Sequence, residues 1–427
     1  MRRRRGVRGA CLAAGLAMVG GCTGADSENP GATTATTTGG SGGGGASSSS
    51  SAGGANATGP TGGVGGAGGA PSDKVPMFVA QGEVGTTVVS CDDGKTWTGL
   101  RSFETEAHPL VCGRGDAVRC YDDGSGCHYL DDGQCVVTDV NCDCNHHPGA
   151  GKGLAYGDGA FVATFGWGYA GLVLRSTDGF RWTEVQSGDT WADVAAGDGR
   201  IVLSGRTPMV STDGGQTYTA GGKAEHGPFN VRRLFFLPTS GSFLQSAASG
   251  NDRDLLLSDD GLMTWRPPTS LPADCARVRS ILEAGGTIVI NTGEDYVCRS
   301  DDNGDTFTRV DLPGGPNLFS GPVHDGSQFI VWGSEGGVKA YTSADGTVWT
   351  AAETNLGNER FGEVARNPVT GTMVAARSQW HQWYEDMRWY RSADGLTWET
   401  LPPNAGPETH AIREMTFGWA DPSAACP

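Results

Sequence analysis

The amino-acid sequence predicts an all-β protein, a seven-bladed β-propeller, and three observations support that fold class. A short phrase recurs seven times, β-rich runs precede the copies, and the copies follow a period of about 40 residues, which is typical of propellers and solenoids. The phrase is a serine, an aspartate two residues later, then glycine and an aromatic residue. Its aspartates are Asp92, Asp178, Asp213, Asp260, Asp302, Asp345 and Asp394. A six-bladed ring with one degenerate phrase is the alternative.

Each copy of the phrase predicts a tight turn between two strands, which we term a repeat turn. The β-rich run from Thr86 to Ser90, for example, leads into the copy that ends at Trp97. An aspartate carboxylate can accept backbone N–H groups across a turn, glycine can adopt a positive φ, and the aromatic residue begins the returning strand. One such hairpin cannot bury its own face, so we expect neighbouring units to stack.

The first and last β-rich runs of the repeat region predict how the ring closes. The first blade begins near Met77 and lacks an innermost strand, whereas the run from His410 to Phe417 has no blade of its own. We therefore expect this C-terminal run to complete blade 1. Seven blades fall within the four to eight that are usual for propellers.

The repeat phrase closely resembles the Asp-box, or BNR repeat, of sialidases, sortilin-type receptors, two-propeller xyloglucanases and photosystem II assembly factors. The resemblance covers residues 73–427 and implies a propeller of the sialidase-like superfamily, in which the aspartates are structural and lie far from the binding site. Sialidases also need an arginine cluster, a tyrosine with a glutamate partner, an acid/base aspartate and an early Arg-Ile-Pro phrase. The nearest match, Lys74-Val75-Pro76, lacks the arginine, so no catalytic residue is carried over.

The N-terminal region has the pattern of an exported lipoprotein. A basic start and a short apolar run precede Val19-Gly-Gly-Cys22, which resembles a bacterial lipobox and predicts a signal peptide over 1–21 with lipidation of Cys22. Residues 22–72 then form a Gly/Ser/Thr-rich tether, too poor in apolar side chains to order itself. The pattern implies a protein anchored by lipid to the bacterial cell envelope, at the outer membrane because Thr23 follows the cysteine. An ordinary secretory signal is the alternative.

Ten further cysteines predict disulfides, since their number is even and the chain is expected to be exported. They are Cys91, Cys112, Cys120, Cys127, Cys135, Cys142, Cys144, Cys275, Cys298 and Cys426. Cys275 and Cys298 could pair across the strands of one blade, which would leave Cys91 for Cys426, but sequence does not fix the connectivity. Zinc is a rival for the cysteine-rich insert, at about 101–150, although its spacing lacks two CxxC motifs.

The predicted topology separates the connections into two faces. Repeat turns join third and fourth strands and define the turn face; connections between blades, and between second and third strands, emerge on the opposite loop face. The insert and two aromatic loops belong to blades 1, 7 and 2, so they should share one sector of the loop face. The candidate ligand-binding residues there are Trp167, Tyr169, Trp380, Trp383 and Tyr384. Alternatively, these side chains cover the insert; Trp389 is expected in the core.

These features favour a surface-anchored, non-catalytic binding or scaffold module for a glycan or an envelope protein, because aromatic platforms suit sugar rings and protein hot spots. The alternative is a sialidase-like glycoside hydrolase acting on extracellular glycans, although the adjacent Glu385 and Asp386 make a poor catalytic pair. The formal charge of −17 disfavours nucleic acid. We expect a monomer that meets the membrane only through its lipid. No cofactor or metal is predicted; Ca²⁺ at the Asp-rich insert is the alternative.

Overall fold

The computed structural model describes residues 74–82, 86–101, 150–166, 171–189, 191–205, 207–222, 231–249, 252–260, 262–378, 383–384, 387–407, 409–410 and 412–421, with five short strands between 104 and 138. In this part of the chain the helical elements are two 3₁₀ helices, Ala273–Ala276 and Pro403–Ala405, and every other element is a strand. None of these described helices is long and apolar enough to cross a membrane.

Seven antiparallel sheets form the seven blades, and the strands are numbered β1 to β34 along the chain. Blade 1 has β1 Val75–Gly82, β2 Thr86–Ser90 and β3 Thr98–Arg101; the insert has β4 Glu104–Thr105, β5 His108–Pro109, β6 Tyr121–Asp122, β7 Cys127–Asp131 and β8 Gln134–Thr138; blade 2 has β9 Ala150–Gly157, β10 Ala160–Gly166, β11 Gly171–Ser176 and β12 Thr183–Asp189; blade 3 has β13 Asp193–Gly197, β14 Arg200–Ser204, β15 Met209–Ser211 and β16 Thr219–Ala220; and blade 4 has β17 Val231–Leu237, β18 Ser242–Ser249 and β19 Asp252–Ser258.

The remaining blades follow the same order from the channel outwards. Blade 5 has β20 Ser280–Ala284, β21 Thr287–Asn291, β22 Tyr296–Ser300 and β23 Thr308–Asp311; blade 6 has β24 Asn317–His324, β25 Phe329–Ser334, β26 Val338–Ser343 and β27 Thr350–Glu353; blade 7 has β28 Val364–Arg366, β29 Met373–Ala376, β31 Trp389–Ser392 and β32 Trp398–Thr400; and β30 Trp383–Tyr384, β33 Thr409–His410 and β34 Ile412–Ala420 complete the chain.

The C-terminal strand closes the ring, as the sequence predicts. Strand β34 pairs antiparallel with β1, so that Val79 lies opposite Thr416, and it is the innermost strand of blade 1. Innermost strands of consecutive blades contact one another around the whole ring, from β34 through β9, β13, β17, β20, β24 and β28 and back to β34. The ring therefore has seven blades, and the six-bladed alternative is wrong.

Aromatic side chains between neighbouring blades form the core. Trp97, at the end of the first repeat turn, stacks on Trp389 of blade 7 with ring centroids 3.9 Å apart. Trp389 is 1% exposed, so it belongs to the core. Such a pair contributes about 0.5–1.5 kcal/mol beyond its buried area. The stack joins the first repeat unit to the last.

Blade 4 shows three strands in the described part of the chain, and a disulfide-held connector follows its third strand. Arg266 and Leu257 exchange two backbone hydrogen bonds of 2.9 and 2.8 Å beside β19, and the chain then reaches the 3₁₀ helix Ala273–Ala276. There Cys275 forms a disulfide with Cys298 of β22. The sequence-based pair thus exists, but it fastens the connector between blades 4 and 5 rather than crossing the strands of one blade, because Cys275 precedes β20.

The cysteine-rich insert forms small sheets of its own, with β4 paired to β5 and β6, β7 and β8 in a three-stranded sheet. Leu130 lies opposite Cys135, and Cys127 lies opposite Thr138. Cys91 is disulfide-bonded, whereas Cys426 lies outside the described residues, so their pairing stays a prediction. The same holds for Cys22, for the remaining insert cysteines (Cys112, Cys120, Cys142 and Cys144), and for the zinc and Ca²⁺ alternatives.

Candidate functional site

The seven repeat turns on the turn face are built by one hydrogen-bond pattern. In blade 5, Ser300 Oγ donates to Asp302 Oδ1 at 2.8 Å, and the Thr306 backbone N–H and Oγ1 donate to the same carboxylate at 2.8 and 2.6 Å. The serine oxygen in turn accepts the N–H of Gly304 at 3.0 Å. The serine-to-aspartate bond recurs in all seven turns. In each of the seven turns, at least one oxygen of the aspartate therefore accepts hydrogen bonds within its own turn.

The turns fall into two kinds that differ in one stabilising bond. In four long turns a threonine hydroxyl donates to the second aspartate oxygen. In three short turns the tryptophan indole N–H donates instead to the glycine carbonyl, at 3.1 Å for Trp182, 3.0 Å for Trp349 and 3.0 Å for Trp398. Hydrogen bonds from the Thr347 hydroxyl and backbone lower the pKa of Asp345 to about 2. The turn-face carboxylates are thus stabilised in their charged form.

On the loop face, the predicted aromatic sector is described only in part. Trp383 and Tyr384 form β30, which pairs with Thr409 and His410 of β33. The long loop of blade 7 is therefore hydrogen-bonded to the segment that enters the closing strand. Trp167, Tyr169, Trp380, Glu385 and Asp386 lie outside the described residues, so the convergence of these side chains stays a prediction.

A polar cavity of about 270 Å³ lies at the loop-face end of the channel. Its walls are the first residues of innermost strands and the residues that follow second strands in blades 4, 5, 6, 7 and 1. The lining comprises Arg233, Arg279, Ser280, Asn291, Phe319, Ser320, Gly321, Gly362, Glu363, Ser378, Arg413 and Glu414. The cavity begins within a few residues of the aromatic strand pair, because Ser378 precedes β30 and Arg413 follows β33.

Much of the cavity wall is held by serine hydroxyls that tie each blade to the next. Ser280 of blade 5 donates to the carbonyl of Gly321 in blade 6. Ser320 of blade 6 donates to the carbonyl of Gly362 at 2.6 Å, and Ser378 of blade 7 donates to the carbonyl of Ile412 at 2.8 Å. These hydroxyls are occupied in holding the inner strands together, so the charged side chains define the chemistry of the cavity.

One arginine binds two glutamates across the ring. Arg233 of β17 lies 3.2 Å through Nη1 from Glu414 Oε1 of β34 and 3.7 Å through Nη2 from Glu363 Oε1, which precedes β28. Nη1 also donates to Glu414 Oε2 at 3.3 Å. Asp193, at the start of β13, accepts the N–H groups of Val194 and Leu234, each at 2.8 Å. The cluster connects blades 1, 3, 4 and 7 at the channel.

Burial favours protons on these carboxyls. It raises the pKa of Glu363 to about 8, against the attraction of Arg233 and together with the repulsion of Glu414 and Asp193. Burial likewise raises the pKa of Glu414 and raises that of Asp193 well above its ordinary value, in both cases against Arg233. Three carboxyls thus compete for one guanidinium, and the raised pKa of Glu363 favours its protonated form near neutral pH.

Glu363 and Arg279 are the charged groups best placed to meet a ligand. Glu363 Oε2 is buried and has no hydrogen-bond partner among the described residues. Arg279 is exposed, donates one weak hydrogen bond to the carbonyl of Leu318 at 3.5 Å, and has no carboxylate at ion-pair distance in the described part of the chain. Glu414, by contrast, is 5% exposed and has both oxygens on Arg233. The arrangement therefore suits binding of a polar ligand better than a pair of free catalytic carboxylates.

No motif in the sequence indicates this cavity. Its charged residues are isolated in the chain: Arg233 and Glu414 are separated by 181 positions. A signal was present nonetheless, since a charged residue occupies the start of several otherwise apolar inner strands, as with Asp193 in β13 and Glu414 in β34. Aligning the innermost strands by register would have placed these charges at one level of the channel.

Comparison with known proteins bears on the fold and on nothing finer. The described part of the chain is a seven-bladed β-propeller, and no protein-family model and no curated protein matches the sequence. A solved protein from Lactobacillus plantarum is 12% identical with a TM-score of 0.50, covering 81% of this chain and 99% of that one. YCF48 from Cyanidioschyzon merolae is 14% identical with a TM-score of 0.43, covering 60% and 85%.

A third likeness is to the Niastella koreensis GH74 enzyme, at 16% identity and a TM-score of 0.44. It covers 80% of this chain and 55% of the enzyme. The likeness to the Lactobacillus plantarum protein indicates a shared fold, and none of the three transfers a residue role. The function must therefore be argued from the cavity itself.

Proposed function

We propose that this chain is a lipid-anchored binding module of the bacterial cell envelope, which binds a glycan at the loop face of its propeller. The single observation that carries the proposal is the polar cavity at the loop-face end of the channel. It is lined by five blades and contains both charged groups and an aromatic wall, Phe319. A pocket with a few convergent polar groups and an apolar surface is the usual form of a small-ligand site.

Phe319 supports a sugar more than a fully polar ligand. Its ring is partly buried and packs edge-on against Phe361, with centroids 5.5 Å apart, so the ring is held in a fixed orientation at the cavity wall. The C–H face of a sugar ring can pack on such an aromatic surface while its hydroxyls meet charged groups. The cavity volume fits one sugar unit, and the described part of the blade 7 loop, Trp383–Tyr384, follows the lining residue Ser378 by a few positions in the chain.

The turn face and the N-terminal region support the rest of the proposal. The serine–aspartate–backbone pattern supports assignment of the repeat turns as Asp-boxes, whose aspartates have a structural role within the turn. The predicted signal and lipidated Cys22 would supply an anchor, and the predicted tether, taken as a coil of about 50 residues, would have an r.m.s. reach of roughly 35–45 Å. Such a tether would hold the loop face clear of the membrane, where it could meet extracellular or periplasmic glycans.

A glycan array probed with the purified full chain tests this function. We expect binding to a defined set of glycans that is lost in Phe319→Ala and weakened in the double variant Trp380→Ala/Trp383→Ala. The matched control is Phe180→Ala, which changes a partly buried aromatic residue in a repeat turn on the opposite face. Silence of the array with a cooperatively folded protein would contradict the glycan proposal and favour an envelope protein as the partner.

One feature favours glycoside hydrolysis as a second candidate function, namely the burial of Glu363, which raises the pKa of its carboxyl to about 8. A general acid needs a carboxyl that remains protonated near the working pH, and glycosidases combine one with a second carboxylate. Incubating a bound glycan with the protein and separating the products would decide. If hydrolysis occurs, Glu363→Gln should abolish it and leave binding intact; intact glycan after prolonged incubation supports the binding module.

A further inference from the structure

More arginines than glutamates line the cavity. Arg233, Arg279 and Arg413 line it with Glu363 and Glu414, and Lys152 of β9 lies close enough to act on Glu414. With a proton on Glu363, the lining side chains carry a surplus of formal positive charge, although the whole chain has a formal charge of −17. Local charge opposite to the net charge is a sign of a site for an anionic group.

Arg279 is the side chain on which this surplus concentrates. Burial lowers its pKa, and neighbouring Arg277, Arg233 and Arg360 lower it further, while Glu363 acts in the opposite sense. Arg277 is paired with Glu294, and Arg233 is paired with both glutamates. Arg279 has no such partner among the described residues. An anion from outside would relieve the repulsion and give the guanidinium a charged hydrogen-bond partner.

Glu363 lies in the same cavity with its free oxygen unsatisfied. The other oxygen, Oε1, is 3.7 Å from Arg233, so a proton on Oε2 leaves an O–H that has no acceptor in the described part of the chain. A buried donor without an acceptor is costly, and a ligand oxygen that accepts this proton would remove the cost. Once ionised, the same group would instead repel an anion.

We propose that the cavity takes the carboxylate of an acidic sugar residue, which accepts hydrogen bonds from Arg279 and from protonated Glu363, so that glycan binding is coupled to a proton. This inference rests on the proposed function and names its substrate class: uronic-acid-type glycans rather than neutral ones. Binding holds the proton on Glu363, and loss of the proton releases the ligand.

The charges that face Glu363 come from each neighbouring inner strand. They are Arg233 of β17, Arg413 and Glu414 of β34, Asp193 of β13 and Arg279 before β20. The arginines stay protonated over this range. Since the pKa of Glu363 is about 8, affinity for the anion should be complete near pH 6.5 and fall above pH 8.

The test compares uronic-acid oligosaccharides with the neutral hexose oligosaccharides of the same linkage, on full chain at pH 6.5 and pH 9.5. We expect the acidic member of each pair to bind at least about tenfold more tightly at pH 6.5, and its affinity to fall about tenfold or more at pH 9.5. Arg279→Gln should weaken the acidic ligand about 10–100-fold, the loss expected for one charge-assisted bond. It should leave the neutral member unaffected.

Glu363→Gln is the decisive control, because its amide donates a hydrogen bond at every pH. This variant should bind the acidic glycan at pH 6.5 and keep that affinity at pH 9.5. Equal binding of neutral and acidic members, or a pH response unchanged in Glu363→Gln, would overturn the inference while leaving the glycan-binding function standing. A folded protein that binds neither member at either pH would overturn both.

Discussion

The two faces of the propeller use carboxylates in opposite ways. On the turn face, Asp302 accepts three short hydrogen bonds from its own turn, and these bonds lower its pKa even though partial burial opposes them. On the loop face, burial raises the pKa of Glu363 to about 8. The turn face stabilises aspartate carboxylates with hydrogen-bond donors of the same turn, in an arrangement that recurs in seven blades. The loop face buries carboxyl groups such as that of Glu363 in a cluster that occurs once.

The contrast separates structural from functional residues. A turn that recurs in every blade has a structural role, because every blade must connect two strands and provide hydrogen-bond partners for the backbone N–H groups of the turn. The Arg233 cluster draws single residues from four different blades, and it leaves Glu363 Oε2 without a partner in the described chain. Departures from a repeat, more than the repeat itself, indicate where a propeller has a site.

The largest effect is expected from removing the central cation. Arg233→Met leaves Glu363 and Glu414 without the guanidinium that both contact, and breaking a buried pair in this way costs about 3–5 kcal/mol. Denaturant unfolding should show a loss of that size. The control is Arg277→Met, whose exposed pair with Glu294 should change the free energy of unfolding by less than about 1 kcal/mol. Equal losses of unfolding free energy in Arg233→Met and Arg277→Met would show that the buried cluster stabilises the protein no more than an exposed ion pair does.

The two faces should also respond to pH with opposite signs. Folding raises the pKa of Glu363 from 4.5 to about 8, so its contribution to stability is complete below pH 4.5 and is lost as the pH rises through about 8. Between pH 6 and pH 7 the free energy of unfolding should fall by about 1 kcal/mol for this one proton.

Glu363→Gln should flatten that dependence, because the amide does not titrate. On the turn face, Asp302 and Asp345 have lowered pKa values, so they contribute to stability above their ordinary value of 3.8 and lose that contribution as the pH falls further. A wild-type protein whose stability does not change between pH 6 and pH 7 would refute the protonated state assigned to Glu363.

A smaller loss is expected on the turn face. Asp302→Ala removes the acceptor of three hydrogen bonds in the blade 5 turn, and the loss of a comparable cap costs about 1–2 kcal/mol. The neighbouring Asp301→Ala, an exposed residue paired with Arg299, serves as the control and should be close to neutral. Chemical unfolding of the two variants side by side measures the difference, and its absence would mean that the turn tolerates loss of its aspartate.

The smallest effect concerns the two kinds of turn. Trp349→Phe removes the indole N–H that donates to the carbonyl of Gly346 at 3.0 Å in a short turn, at a cost of about 0.5–1.5 kcal/mol. In a long turn, Trp97→Phe removes an indole N–H that has no partner among the described residues, so it should lose packing alone. A smaller change in thermal stability for Trp349→Phe than for Trp97→Phe would show that the indole bond contributes little.

The repeated phrase allows the hairpins and the closure of the ring to be predicted from the sequence. The cavity, which is formed by residues far apart in the chain, is not predictable in this way. Seven copies of one phrase specify hairpins, and the surplus strand near the C-terminus specifies the closure between β34 and β1. Local chemistry suffices for both. The sequence does not show that Cys275 lies in the connector before β20 rather than in a strand of blade 5, because short connectors and short strands have similar residue patterns.

The cavity depends on which inner strands face each other across the channel. Arg233 and Glu414 meet because β17 and β34 present them at the same depth, and that depth is set by strand register in each of seven sheets. No local pattern records it. The aromatic sector was inferred from topology alone, and the pairing of β30 with β33 is the part of it that the structure describes.

The closing strand has a consequence for how the protein is made. Because Thr416 of β34 lies opposite Val79 of β1, the first blade keeps an unpaired edge until almost the whole of the repeat region has been synthesised. Open edges of this kind recruit other chains, and pairing between distant segments is slow to form. A chain released early would retain that edge and could not complete its ring. Only a chain that includes β34 can therefore pair the inner edge of β1 and close the ring.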